Sequence, residues 1–324
     1  MQREIIVPET EEIWLAERAK DLTSTECAAL FNAHEYLTPL ALWLRKSGKI
    51  PDDFKGNEFT KWGNRLEPVI AAGMAEDNGW SMRPMKEYIR LAGMRVGSSF
   101  DYRIRSSRHD DSDSDMLLEI KNVGMNAFRS GWSMNDDDEI EAPMRIEFQV
   151  QHEMLVAGLG GAKIGAFVGG NTPHILHREA DKEIHALILE KAEAFWRSVA
   201  KGVEPSPDPL LDHELVKRLH RHAEPGKVML GGEELQAMLD AYKAAGEEKS
   251  LAEDKQTAMK TLILDKFGDA EIAVGTGLQV TMRDIAEIPP TVITAEMVGT
   301  SYGGRKGYRG WSISKVKTPK QPKE

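Results

Sequence analysis

The sequence predicts a mixed α/β (α+β) fold, with a central mixed β-sheet flanked by helices and a smaller helical C-terminal appendage. Three observations carry that expectation. Short strand-like runs interleave with amphipathic helical patterns up to about residue 200. Two strand patterns, Gly97–Ile104 and Leu117–Asn122, face each other across a polar excursion, which reads as a hairpin. The run Pro205-Ser206-Pro207-Asp208-Pro209 then separates this part from two charged helical patterns. At 324 residues the chain can bury a sizeable core, and the expected division is 1–204 and 205–324.

The first 33 residues predict two helices. Thr10 caps one carrying Ile13, Trp14, Leu15 and Arg18, and Thr23-Ser24-Thr25-Glu26 opens a second through Phe31. A hydroxyl-bearing helix start close after Arg18 suits an anion, because free N–H groups and the positive dipole end favour phosphate; from spacing alone, capping with nothing bound is the commoner explanation. Thr38-Pro39 starts a short helix through Trp43 to Lys46. A long helix spans about Asn57 to Asn78, with Trp62, Leu66, Val69, Ile70 and Met74 at helical spacing. Glu67 lies among these apolar residues, where it either reaches a cation or pairs with a base such as Arg65.

A strand is expected around Tyr88-Ile89-Arg90, followed by the hairpin and a short helix or loop from Asn126 to Trp132. Pro143 suits the first turn of a helix to about Leu159 that carries Gln149 and Gln151 among apolar neighbours. Gly158, Gly160 and Gly161 end it; no Gly-Lys-Ser/Thr follows, so they are no phosphate loop. Strands at Ala162–Val168 and His174–His177 and a helix from Asp181 to Ala200 complete this part. Beyond the linker, Glu233–Ala245 and Leu251–Phe267 predict a helical hairpin, with short strands at Glu271–Val274, Gly277–Met282 and Ser312–Val316.

Hydrophobic residues make up 41% and charged residues 29%, as in ordinary globular chains. No apolar run approaches the roughly 20 residues that span a bilayer, and the N-terminus lacks a signal-peptide core. The lone cysteine, Cys27, excludes an internal disulfide and any all-cysteine metal site, and makes a reducing cytoplasm the natural setting. A net charge of −10 argues against nucleic acid at first sight. Much of the excess is local, in Asp110, Asp111, Asp113 and Asp115 and in Asp136 to Glu141, whereas Arg305 to Lys323 is wholly basic. Charge alone therefore leaves the partner open.

The hairpin holds the most pointed chemistry. Residues i and i+2 of a strand share a face, so Glu119 and Lys121 point one way and Ile120 the other. With Asp101 on the facing strand, two carboxylates and a lysine converge, which suits a hard divalent cation and an activated water. A surface salt bridge on an amphipathic hairpin has the same pattern.

Five stretches in order decide between them: Trp14-Leu15-x-x-Arg18…Thr23-Ser24-Thr25, Trp62-Gly63-x-x-x-Glu67, Ser99-Phe100-Asp101, Leu118-Glu119-Ile120-Lys121 and Phe148-Gln149-Val150-Gln151. Over roughly residues 10–200 the chain resembles the PD-(D/E)XK nucleases, and within them the lambda-exonuclease-like or YqaJ-type viral recombinases. The resemblance implies a restriction-endonuclease-like core in which Asp101, Glu119 and the Ile120 carbonyl hold Mg²⁺, with Mn²⁺ able to substitute. Glu67 would support the metal, Lys121 would position or deprotonate the attacking water, and Gln149 would lie beside the site and DNA, with Gln151 a further DNA contact. Arg18 and Thr25 would grip a 5′-terminal phosphate. Threonine stands at 25 where the family often has serine, and Phe100 where a proline usually precedes the aspartate.

The activity so implied is a Mg²⁺-dependent 5′→3′ exonuclease on linear double-stranded DNA, feeding single strands to an annealing protein in phage-type recombination. A ring-shaped homo-oligomer, commonly a trimer, and a phage or prophage protein in the bacterial cytoplasm, with no membrane partner, go with it. The competing readings are a structure-specific or endonucleolytic enzyme of the same core, and a non-catalytic DNA-binding module using the basic tail with its Tyr302, Tyr308 and Trp311.

Overall fold

The computed structural model describes residues 1–51, 56–106, 115–134, 139–221, 227 and 229–287, together with the backbone of 308–315. The chain divides into two units, Met1–Ala223 and Glu224–Glu324. The expected boundary at 204/205 falls short of this division, because the chain after the proline run still packs on the first unit. Thr38 Oγ1 donates to the buried Asp212 Oδ1 at 2.6 Å.

The first unit opens with β1 (Arg3–Ile6), α1 (Glu11–Ala19) and α2 (Ser24–Cys27), which tightens into a 3₁₀ turn over Ala28–Phe31. α3 (Pro39–Lys46), α4 (Glu58–Asn78), β2 (Trp80–Pro84), β3 (Tyr88–Leu91), β4 (Val96–Ser98), β5 (Tyr102–Ser106) and β6 (Met116–Val123) follow. After α5 (Met125–Gly131) and the short pair β7 (Ser133–Met134) and β8 (Ile140–Glu141) come α6 (Met144–Ala157), β9 (Gly161–Val168), β10 (Thr172–Glu179), α7 (Lys182–Lys201) and α8 (His213–Leu219). The expectation omitted β1, β2, β7, β8 and α8, all short and without clean periodicity.

Local chemistry sets the helix ends. Thr10, Thr38 and Asn57 each accept a backbone N–H of the first turn of α1, α3 and α4. Pro39 takes the first position of α3, where no intrahelical donor is needed. Gly79 and Gly158 close α4 and α6 at φ +67° and +74°, the left-handed conformation that glycine adopts without strain. At the end of α6, Arg3 donates to the otherwise open carbonyls of Val156 and Leu155 at 2.7 and 3.1 Å.

The main sheet has the order β10-β9-β6-β5-β2, with β6 and β9 parallel and the other pairs antiparallel, so it is mixed as predicted. A second sheet has the order β1-β3-β4. The alternation of β6 divides its side chains between two cores. Leu117 joins the large cluster of α2, α3, α6 and α7 residues around Trp43, Met154 and Ile188. Leu118 and Ile120 pack with Ile70, Ala71 and Met74 of α4. Each such fully buried side chain stabilises the fold by about 1.5–3 kcal/mol.

The expected strand Gly97–Ile104 is two strands. β4 pairs with β3 in the small sheet, whereas β5 pairs with β2 and β6 in the main one, and Ser99–Asp101 carry the chain between them. Asp101 therefore stands just before β5, its carbonyl accepting Met85 N at 3.0 Å. A period-two pattern cannot register a change of sheet.

In the second unit, α9 (Gly232–Phe267) is one continuous helix, correcting the expected helical hairpin. Gly246 costs about 1 kcal/mol relative to alanine, too little to break a helix that contains no proline. Of the pairs four residues apart, Lys243–Glu247 spans it and Lys249–Glu253 follows it. β11 (Ile272–Val274), β12 (Leu278–Ile285) and β13 (Tyr308–Lys315) form an antiparallel sheet in that order. Among the described residues no helix is long and apolar enough to cross a membrane.

Candidate active site

β5 and β6 pair only from Tyr102↔Leu118 to Ile104↔Met116, so beyond Leu118 that flank of β6 loses its antiparallel neighbour. The chain leaves through Asp101, whose Oδ2 accepts the Ile120 N–H at 2.9 Å. The carboxylate thus takes the place a strand carbonyl would occupy. On the next residues Glu119 and Lys121 project toward α6, while the Ile120 side chain stays in the α4 core, as the strand alternation predicts.

α6 supplies the facing layer. Gln149 Nε2 donates to Glu119 Oε1 at 2.6 Å and to Glu153 Oε1 at 3.0 Å, and its Oε1 accepts from Lys121 Nζ at 3.2 Å. Lys121 Nζ also lies 2.5 Å from Glu119 Oε1. Glu67 enters from α4 and is held by the Tyr102 hydroxyl. These side chains line one open cleft of about 610 Å³.

The electrostatics follow from four acids near one lysine. Burial, and then the charge of Glu119, push the Asp101 and Glu153 carboxyls well above the usual carboxylate range. Glu67 is raised by the same two causes in the same order, against the pull of its Tyr102 hydrogen bond. Burial and Glu67 push the Tyr102 hydroxyl up to about 12. At Lys121 burial opposes the charge, but Glu119 and Asp101 outweigh it and hold the proton more tightly than in a free lysine.

The carboxylates around the cleft offer hard oxygen donors of the kind Mg²⁺ prefers. Among the described residues no three His, Cys, Asp or Glu side chains gather closely enough to form a protein-only cage. Two carboxylates with a backbone carbonyl fit an ion that keeps several of its waters.

At one end of the same cleft, Ser99 Oγ accepts from Trp14 Nε1 at 2.7 Å and from Arg18 at 3.3 Å. Arg18 also reaches Thr25 Oγ1 at 3.5 Å and lies over the Trp14 ring. The structure therefore brings Arg18, Thr25, Glu67, Asp101, Glu119, Ile120, Lys121 and Gln149 to one cleft. Gln151 does not join them. It is buried, donating to Glu179 O at 2.8 Å and accepting Asp181 N at 3.0 Å, because two positions on a helix turn a side chain roughly 200° away. Sequence reasoning gave no role to Ser99, Tyr102 or Glu153. The last had a usable signal, a carboxylate four residues after Gln149 inside an apolar helix. Of the acidic loops, Asp110, Asp111, Asp113 and Asp136–Asp138 lie outside the described residues, as does most of the basic tail. Asp115 pairs with Arg103 and Arg105.

Residues 13–160, which carry every residue of this cleft, match the family model of the YqaJ-like viral recombinase domain. Over this stretch the chain is similar to the YqaJ-like viral recombinase domain. Across the wider chain, the uncharacterised protein YqaJ of Bacillus subtilis (strain 168) is 23% identical over 266 residues, covering 80% of this chain and 78% of that one. Among solved structures, the alkaline exonuclease LHK-Exo of Laribacter hongkongensis is 17% identical at a TM-score of 0.47, covering 65% of this chain and 98% of its own. A phage-related exonuclease from Haemophilus somnus 129PT is 13% identical at a TM-score of 0.36, covering 61% of this chain and 91% of its own. The matched stretch ends just before β9, so β9, which pairs in parallel with the site strand β6, lies beyond it.

Proposed function

We propose that this chain is a Mg²⁺-dependent exonuclease that degrades linear double-stranded DNA from the 5′ end and leaves single strands for an annealing protein in phage-type recombination. One observation carries the reading: Asp101, Glu119 and Lys121 meet at the opened flank of β6, in the same cleft as Arg18 and Ser99. Asp101, Glu119 and the Ile120 carbonyl would hold Mg²⁺, with Mn²⁺ a substitute and Glu67 supporting from α4. When bound, the ion supplies charge neutralisation at the phosphate and a more acidic water.

The chain's own residues do the rest. Lys121 Nζ orients the attacking water, as a donor while charged and as proton acceptor once the neighbouring carboxylates no longer hold its proton. Gln149 bridges Lys121 and Glu119 and fixes their separation. Arg18, Ser99 and Thr25 bind the 5′-terminal phosphate, which places the first phosphodiester over the acids. A ring-shaped homo-oligomer, commonly a trimer in the resembling family, and a bacterial cytoplasmic setting belong to the same proposal.

The test is digestion of linear duplex bearing a 5′ phosphate, with and without Mg²⁺, beside closed circular DNA. Loss of linear duplex from its 5′ ends with Mg²⁺ is expected, and loss of that activity in Lys121→Ala. Full activity in Lys121→Ala would overturn the assignment, and cleavage of the closed circle would make the enzyme an endonuclease.

A further inference from the structure

Gln149 is the only side chain that touches both Glu119 and Lys121 among the described hydrogen bonds, and its amide is not free to turn. Its Nε2 sits 2.6 Å from Glu119 Oε1 and 3.0 Å from Glu153 Oε1, while its Oε1 sits 3.2 Å from Lys121 Nζ. The reversed amide would press a carbonyl oxygen against two carboxylates and an NH₂ group against an ammonium, so one orientation alone satisfies all three contacts. Two of those contacts are to the reacting groups themselves. The third, Glu153, is a fixed point. It is one helical turn along α6, 2% exposed, and held in a helix whose neighbours Val150, Met154 and Val156 are fully buried.

We propose that Glu153 is a positioning residue of this site: it anchors the Gln149 amide, and through it sets the distance and orientation of Glu119 and Lys121. This rests on the nuclease reading above for its consequence in catalysis, although the anchoring itself does not. Glu153 touches neither Lys121 nor Asp101 by a hydrogen bond, so its effect passes through Gln149. Without an acceptor at 153 the second Nε2 proton is left unpaired in a buried place, which favours rotation of the amide and releases Lys121 from its second partner. The requirement is for an acceptor at this point, not for a negative charge. Glutamine at 153 offers a carbonyl oxygen of the same reach, and leucine offers none.

The experiment compares full-length Glu153→Gln and Glu153→Leu with wild type and with Lys121→Ala. Side-chain NMR of Gln149, identified by its loss in Gln149→Leu, reads the anchoring without any turnover. Slow NH₂ exchange is expected in wild type and Glu153→Gln, and fast exchange in Glu153→Leu. In steady-state digestion, Glu153→Leu is expected to lower kcat by about 10- to 100-fold, the size of one lost hydrogen bond to a charged group, with KM for duplex DNA unchanged. Glu153→Gln is expected to recover kcat to within about threefold of wild type, and thermal melts establish that both variants are folded. Unchanged Gln149 exchange in folded Glu153→Leu would overturn the proposal, as would a fall of Glu153→Gln to the level of Glu153→Leu. A wild type without Mg²⁺-dependent activity, or an active Lys121→Ala, would defeat the nuclease reading instead and leave the exchange result standing.

Discussion

Asp101 Oδ2 accepts the Ile120 backbone N–H at 2.9 Å, so a side chain from outside the strand completes the ladder of β6 where β5 has left it. One carboxylate then has two duties, closing a backbone hydrogen bond and bringing negative charge beside Glu119. The duties separate by substitution. Asp101→Asn keeps an acceptor for Ile120 N and removes a carboxyl whose charge burial and Glu119 already disfavour. It is expected to melt no lower than wild type while losing DNA cleavage. Asp101→Ala leaves the N–H unpaired and is expected to lose about 1–3 kcal/mol as well. Chemical denaturation alongside nuclease assays checks both, and an active Asp101→Asn would remove the carboxylate from the mechanism.

The Arg18 end of the cleft makes a separate prediction. Arg18 is tied to Ser99 and Thr25 and lies over the Trp14 ring. Arg18→Ala is expected to raise KM for 5′-phosphorylated duplex by about 10- to 100-fold and to erase the preference over 5′-hydroxyl duplex. Equal preference in wild type and variant would reassign the pocket.

His152, on α6 but outside the cleft lining, adds an acid-side loss of stability. Burial pushes the His152 imidazole down from its ordinary value to about 3. The unfolded chain then binds a proton below pH 6.5 that the folded chain refuses until about pH 3. The contribution of His152 is therefore fully present above pH 6.5 and is lost as pH falls through that window, by up to about 1.4 kcal/mol per pH unit, while the raised Asp101, Glu153 and Glu67 carboxyls act in the opposite direction. Urea melts between pH 7 and 4.5 should show a shallower decline in His152→Leu than in wild type.

Gly97, in β4 of the small sheet, has no room for a side chain. A Cβ there would lie 2.2 Å from the Tyr88 hydroxyl oxygen and 2.9 Å from Asp21 Oδ2, and Tyr88 itself donates to Asp21 at 2.9 Å. A ring in a packed core cannot step aside as a flexible side chain can. Gly97→Ala is expected to destabilise by about 1–3 kcal/mol, measured as a lower denaturation midpoint at unchanged slope.

Much of the site was legible because strand and helix periods are local rules. The spacing of Glu119 and Lys121 put both on one face, Thr10 and Thr38 marked the starts of α1 and α3, and α4 begins close to the expected Asn57. Gln151 was misplaced for want of the same rule applied to α6, where it turns away from Gln149 to bond the backbone at Glu179 and Asp181. The hairpin expected after residue 232 failed at Gly246, a residue weak enough to be overruled by good helix formers on both sides.

By itself the sequence determined the principal strands and helices in order and the shared face of Glu119 and Lys121. These depend on side-chain type and periodicity, which neighbours a few residues apart decide. Only the tertiary structure decided that Gly97–Ile104 serves two sheets, that Asp101 completes β6 at Ile120, and that Glu153 stands behind Gln149. Those relations join residues far apart in the chain or depend on where a strand loses its partner, and a burial pattern read along one segment contains neither.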